Sequence, residues 1–197
     1  DEYLITGGIM LAINELQKTG KISPQLYDMY IKQIFADITR AGREENTAKL
    51  ILSSILKKMG TPSSWNGIRK ENDISSQQTV EQYVYVLRDI FVLNLCYKIE
   101  LSGEKNYAGN RKIYLLNPFI YNALFHALFE PTKDPYLLSR ENILNSEIKS
   151  ILIESLVLNH LNRAFYNFRP SDIYDPTDFI YYAKTKKGNE IDFVVKT

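Results

Sequence analysis

The sequence predicts an α+β fold, mostly helical. Apolar residues recur at three- and four-residue spacing along most of the chain. Strand-like alternation is confined to two stretches near residues 96 and 180. Each of these is doubled by a returning strand across a polar, glycine-containing loop.

The elements read in order. Gly7-Gly8 is a turn, and a short helix over about Ile9 to Gln17 follows, ended by Gly20. Ser23-Pro24 reads as an N-cap and first helical position, with Leu26, Tyr30, Ile31, Ile34, Phe35 and Ile38 behind it as far as about Arg40. A helix after Asn46 carries Leu50, Ile51, Ile55, Leu56 and Met59 and stops at Gly60-Thr61-Pro62. Ser63 to Glu71 gives a short second helix. Ser75 opens a third, with Gln78 completing a capping box and Val80, Tyr83, Val84, Leu87 and Phe91 forming one stripe. Tyr97, Ile99 and Leu101 alternate with Cys96, Lys98 and Glu100, and Arg111 to Leu116 is the returning strand. Asn117-Pro118 caps a helix to about Phe129. Pro131 to Asn142, with two prolines and mixed charge, reads as a boundary, and a long helix over about Ile143 to Phe165 follows. After a loop rich in Pro and Asp, Phe179 to Lys184 and Glu190 to Val195 are strands joined through Lys187-Gly188-Asn189. The expected units are 1–46, a helical lead-in; 47–130, a helix-turn-helix with hairpin; and 131–197.

Composition narrows the function. The 197 residues suffice for one large domain or two small ones, and the 45% hydrophobic content is ordinary for a soluble globular protein. A net charge of +1 gives no global field toward nucleic acid, so any basic surface is local. The single cysteine, Cys96, excludes a disulfide framework and a cysteine-rich zinc site. His126 and His160 are too few for a histidine-based metal site. With no bilayer-length apolar run and no signal peptide, the chain reads as cytoplasmic, with no membrane partner. It starts at Asp1 without an initiator methionine and stops at Val-Val-Lys-Thr in mid-strand, which reads as a fragment.

Three helices followed by a hairpin is the order of a winged helix, expected over Thr47 to Leu116. In such a module the third helix enters a major groove and the hairpin loop touches the backbone beside it. The third helix would turn Ser76, Gln77, Gln78, Thr79, Gln82 and Arg88 outward, toward base edges. The wing would offer Lys105, Arg111 and Lys112 to phosphates. Glu81, Asp89, Glu100 and Glu104 oppose this, so double-stranded DNA and protein stand as equal candidate partners.

A second feature is acidic. Glu154 lies on a helix that is apolar almost all round and so expected to be buried, where an unpaired carboxylate is costly. In the last strand Glu190 and Asp192 share one face, and Ile191, Phe193 and Val195 the other. Carboxylates converging from a helix and a strand are hard oxygen ligands of the kind Mg²⁺ takes, with Glu154 and Asp192 as the metal pair. The plainer reading is an ion-pair network.

Five segments in order carry a family resemblance: Leu-Ile-Thr-Gly-Gly-Ile near the start, Thr79-Val80-Glu81-Gln82-Tyr83, Lys112-Ile113-Tyr114, Ile153-Glu154-Ser155-Leu156-Val157, and Tyr181-Tyr182 with Glu190-Ile191-Asp192-Phe193-Val194. Together they resemble the C-terminal region of archaeal and bacterial AAA-type P-loop ATPases. That resemblance implies a winged helix followed by a PD-(D/E)XK nuclease-like domain, with Glu154 as the helix acid, Asp192 as the strand acid and Glu190 beside it. The nuclease motif also needs a further strand bearing Glu-X-Lys, and the sequence stops before one, so the nuclease-like portion is expected to be incomplete. No Gly-X-X-X-X-Gly-Lys-Ser/Thr is present. By resemblance, ATP and Mg²⁺ belong to an ATPase domain elsewhere in a parent protein. Three functions follow as expectations: a DNA-binding region of such an ATPase, a regulatory module docking on the ATPase domain or another protein, and a Mg²⁺-dependent nuclease active only in the full-length protein.

Overall fold

Glycines and prolines divide the chain before any tertiary contact is made. Two short helices, α1 (Glu2–Thr6) and α2 (Met10–Thr19), end at Gly7 and Gly20, whose φ values are 60° and 73°. Gly7 has a second reason to be glycine. A Cβ there would collide with the Asn117 side chain, whose Nδ2 donates to the Gly7 carbonyl over 2.7 Å. Pro24 opens α3 (Pro24–Arg40), whose Leu26, Tyr27, Ile34, Phe35 and Ile38 are buried. Then come α4 (Glu45–Lys57), α5 (Trp65–Glu71) and α6 (Gln77–Asp89), followed by β1 (Leu93–Ile99) and β2 (Lys105–Leu115). Proline again marks the starts of α7 (Pro118–Phe129) and α8 (Pro135–Leu144), where a missing N–H costs nothing. The chain closes with α9 (Ser146–Phe168), a 3-10 turn over Pro176–Asp178, and strands β3 (Ile180–Lys184) and β4 (Glu190–Val195).

This computed structural model describes residues 1–100, 102–168, 175–185 and 188–196. Leu101, Lys187 and much of the expected Pro- and Asp-rich loop (169–174) lie outside the described residues. The fold is α+β and mostly helical, as the sequence predicts.

Between α4 and α5, Ser63 and Arg111 form an antiparallel bridge, with N–H to O distances of 2.8 and 3.0 Å. Helix, bridge, helix, helix, strand, loop, strand is the element order of a winged helix. Four strands then share one sheet in the order β2-β1-β3-β4. Strand β1 pairs antiparallel with β2 and parallel with β3 through Tyr97 and Lys98. The C-terminal hairpin thus covers the free edge of β1, and an edge strand covered in this way cannot pair elsewhere. One continuous core runs from Leu4 to Tyr182. Within it Tyr27 stacks on Phe119 at 4.6 Å and meets Ser139 Oγ with its hydroxyl at 3.0 Å.

Four local expectations are corrected. The cap of α6 is Ser76, whose Oγ accepts from Thr79 N at 3.0 Å, and not Ser75. Within the segment read as a boundary, the structure has helix α8 in place of a loop, because Asp134 caps it and Pro135 starts it. Helix α9 is buried on one side only: Ile153 is 46% exposed and Val157 43%. Strand β4 is not a regular alternation. It holds one more residue than β3 between the pairs Tyr181–Val194 and Ala183–Ile191, a bulge at Asp192 and Phe193. Both side chains therefore reach the same side, and the Phe193 ring lies 5.9 Å from that of Tyr114.

Candidate functional site

Charged groups collect where β2, β4 and α9 meet. Lys112 sits on β2 opposite Cys96. Its side chain is 1% exposed, and its Nζ lies 2.6 Å from Glu190 Oε1 and 2.7 Å from Asp192 Oδ1. The ring of Tyr182 is 5.6 Å from the same nitrogen. Two residues along β2, Tyr114 donates its hydroxyl to Glu154 Oε2 on α9 over 3.0 Å. The strand period of two brings Lys112 and Tyr114 to one face. The helix then brings Glu154 over them, anchored by Ser155 on the Leu115 carbonyl and by Asn159 Nδ2 on the Leu116 carbonyl.

Electrostatics follow from burial and pairing. Burial opposes the Lys112 charge, but the hydrogen bonds and attraction of Asp192 and Glu190 outweigh it and hold its pKa above the usual lysine value. Burial pushes the Glu154 carboxyl up; the Tyr114 hydrogen bond partly offsets this, and the charge of Asp192 adds to it. Tyr114 is raised by burial and by Glu154. Cys96 is pushed up to about 12 by burial, which leaves its thiol unreactive.

The three predicted acids thus share one neighbourhood, but they do not converge as ligands. The cation between Glu190 and Asp192 is an ammonium group, and Glu154 is held by a phenol. Among the described residues no group of three or more His, Cys, Asp or Glu side chains is placed to hold a metal ion. The contacts present are an ion-pair triad and a phenol–carboxylate hydrogen bond. What this arrangement can do is lock the β1–β2 hairpin to the C-terminal hairpin and keep a proton on Glu154 above the ordinary carboxylate range.

The expected DNA-contacting residues divide. Gln77, Gln78 and Gln82 on α6 are exposed. Thr79 is half-buried and bonds to Ser76 Oγ at 2.9 Å. Arg88 is held by Asp89 at 3.0 Å and Asp175 at 3.7 Å. Lys105 Nζ lies 2.7 Å from Thr177 Oγ1, 3.1 Å from Asp178, and 4.6 Å from each of the Tyr97 and Tyr107 rings. Arg111 and Lys112 are corrected from exposed wing residues to buried ones, at 3% and 1% exposure. The two face opposite sides of β2, and both sides are covered at the base of the hairpin, by Trp65 over Arg111 and by Glu190, Asp192 and Tyr182 over Lys112. Arg111 stacks at 4.0 Å on Trp65 and donates to the carbonyls of Tyr107 and Gly109. Glu81, expected on the outer face, instead accepts from Trp65 Nε1 and Tyr85 OH, each at 3.2 Å.

Sequence reasoning missed Tyr114, Trp65, Tyr182 and Thr177 as partners. Their roles depend on contacts across the sheet and carry no local signal. Among the described residues no helix is long and apolar enough to cross a membrane.

Comparison with curated proteins and with solved structures gives no match. A family model does match, over residues 1–131, which take in α1 to α7 and the hairpin of β1 and β2. The chain therefore belongs to the family described as Domain of unknown function (DUF8612).

Proposed function

We propose that the chain is a protein-docking module built on a winged helix, serving as a regulatory region of a larger protein. One observation carries this reading: the wing cations are committed internally. Lys105 goes to Thr177 and Asp178, Arg111 to Trp65 and two carbonyls, and Lys112 to Glu190 and Asp192. A wing that grips DNA needs free cations at phosphate spacing. The resemblance to C-terminal regions of P-loop ATPases supports taking an ATPase domain as the first partner to test.

Duplex DNA is the second reading. Gln77, Gln78 and Gln82 favour it, being exposed on the helix that would enter a groove, since Gln can bond bidentately to adenine. A salt titration with duplex DNA separates the two. A protein making six to ten phosphate contacts loses roughly 10³–10⁵-fold in affinity between 50 and 200 mM salt. The docking reading expects weak binding whose affinity changes by less than about tenfold over that interval. A steep salt dependence, reduced by Gln77→Ala and Gln82→Ala, would favour DNA.

A further inference from the structure

Helix α6 ends in an unusual way. Phe91 N donates to the Arg88 carbonyl at 2.9 Å and Val92 N to that of Leu87 at 2.9 Å. This closure needs a left-handed residue at Phe91, a place normally given to glycine. Phe91 adopts φ 60° there. The only other non-glycine residue with positive φ among the described ones is Asp73, a type that tolerates it. The Phe91 ring is also 77% exposed. A strained backbone that presents a large apolar ring to water serves no packing purpose.

The ring stands in a groove. Two adjoining cavities of about 520 and 430 Å³ share Phe91, Asn94, Leu116 and Pro176 as walls. Asn94 is 8% exposed, yet its Nδ2 donors have no partner. Buried amide N–H groups without an acceptor are rare and mark missing partners. The ends of the groove differ in charge. At one end Arg88 is held by both Asp89 and Asp175, so that end is acidic on balance and repels a carboxylate. At the other Arg163 is exposed beside Tyr166. Two cavities that adjoin through four shared wall residues suit a chain running through both better than a compact molecule.

We propose that this groove binds an extended acidic peptide segment of a partner protein. A bulky apolar side chain packs against Phe91, a main-chain carbonyl accepts from Asn94 Nδ2, and a Glu or Asp side chain meets Arg163. This rests on the docking reading and names its site.

The test uses the whole ¹⁵N-labelled chain, titrated with the synthetic peptide N-acetyl-Gly-Leu-Glu-Gly-amide and its Gln counterpart. The Asn94 side-chain amide and Phe91 backbone signals should move and saturate. The Gln peptide, or Arg163→Gln, should bind about threefold more weakly, the size of an exposed ion pair. Phe91→Gly should abolish the response while retaining the fold, because glycine is at ease at this φ. Four results would overturn the proposal: no movement at Asn94, equal binding of both peptides, an unchanged response in Phe91→Gly, or self-association that Phe91→Gly relieves. A duplex DNA added to the same sample keeps the two readings apart. Movement of the Gln77, Gln78 and Gln82 side-chain signals overturns the docking reading itself, whereas a silent duplex with a silent peptide overturns this site alone.

Discussion

An ammonium group leaves water only with partners, and Lys112 finds two across the sheet. Removing it leaves Glu190 and Asp192 facing each other beside Glu154. Lys112→Met is expected to lower unfolding stability by roughly 2–3 kcal/mol in urea titration, less than a fully buried pair because Asp192 is half exposed. Glu154 makes a pH statement. Its carboxyl is raised in the folded state by burial, against the Tyr114 bond. Between the ordinary carboxylate pKa and its raised value, the folded protein binds more protons than the unfolded one. This contribution to stability is complete below about pH 4.3, the ordinary glutamate pKa, and is lost as pH rises through the raised value. Stability curves from pH 4 to 8 should show that fall in the native chain, and Glu154→Gln should flatten it. A fall of equal size in Glu154→Gln would assign it to another group.

Elements whose signals are local were legible in the sequence. Ser23-Pro24 and Asn117-Pro118 announced α3 and α7, and the stripe Val80, Tyr83, Val84, Leu87 announced α6. Asp134-Pro135 carried the same signal for α8, but two prolines amid mixed charge read as a boundary. The cap of α6 slipped by one residue because Ser75 and Ser76 both suit the role. Ser76→Ala should cost about 1 kcal/mol in thermal or urea unfolding and Ser75→Ala close to nothing; the reverse ranking would contradict the Ser76 cap. The acids Glu154, Glu190 and Asp192 were legible as acids misplaced among apolar residues. Their partners were not, because Lys112 is 80 residues from Asp192, Tyr114 is 40 from Glu154, and a strand sequence does not say which of its faces is covered. The bulge that brings Asp192 and Phe193 together has no sequence mark either.

At the scale of the whole molecule, the parallel pairing of β1 with β3 joins the β1–β2 hairpin to the C-terminal hairpin. That seam has two residue pairs along its strands, and the Lys112 ion pairs, the Lys105 contacts with Thr177 and Asp178 and the bond from Tyr182 OH to the Asn110 carbonyl add to its hold. Amide hydrogen exchange should therefore quicken in β3 and β4 of Lys112→Met while α3 and α7 keep their protection. Exchange that quickened evenly along the chain would instead mean general destabilisation. Under the docking reading the β1–β2 hairpin is an internal joint, with Lys112 paired to Glu190 and Asp192 inside it. A double-mutant cycle between Lys112→Met and Glu190→Gln tests this most directly. A coupling of about 1–2 kcal/mol in unfolding free energy is expected for a pair this enclosed. Effects that add to within about 0.3 kcal/mol would show the two groups to be independent, and would contradict the Lys112–Glu190 pair as part of the joint.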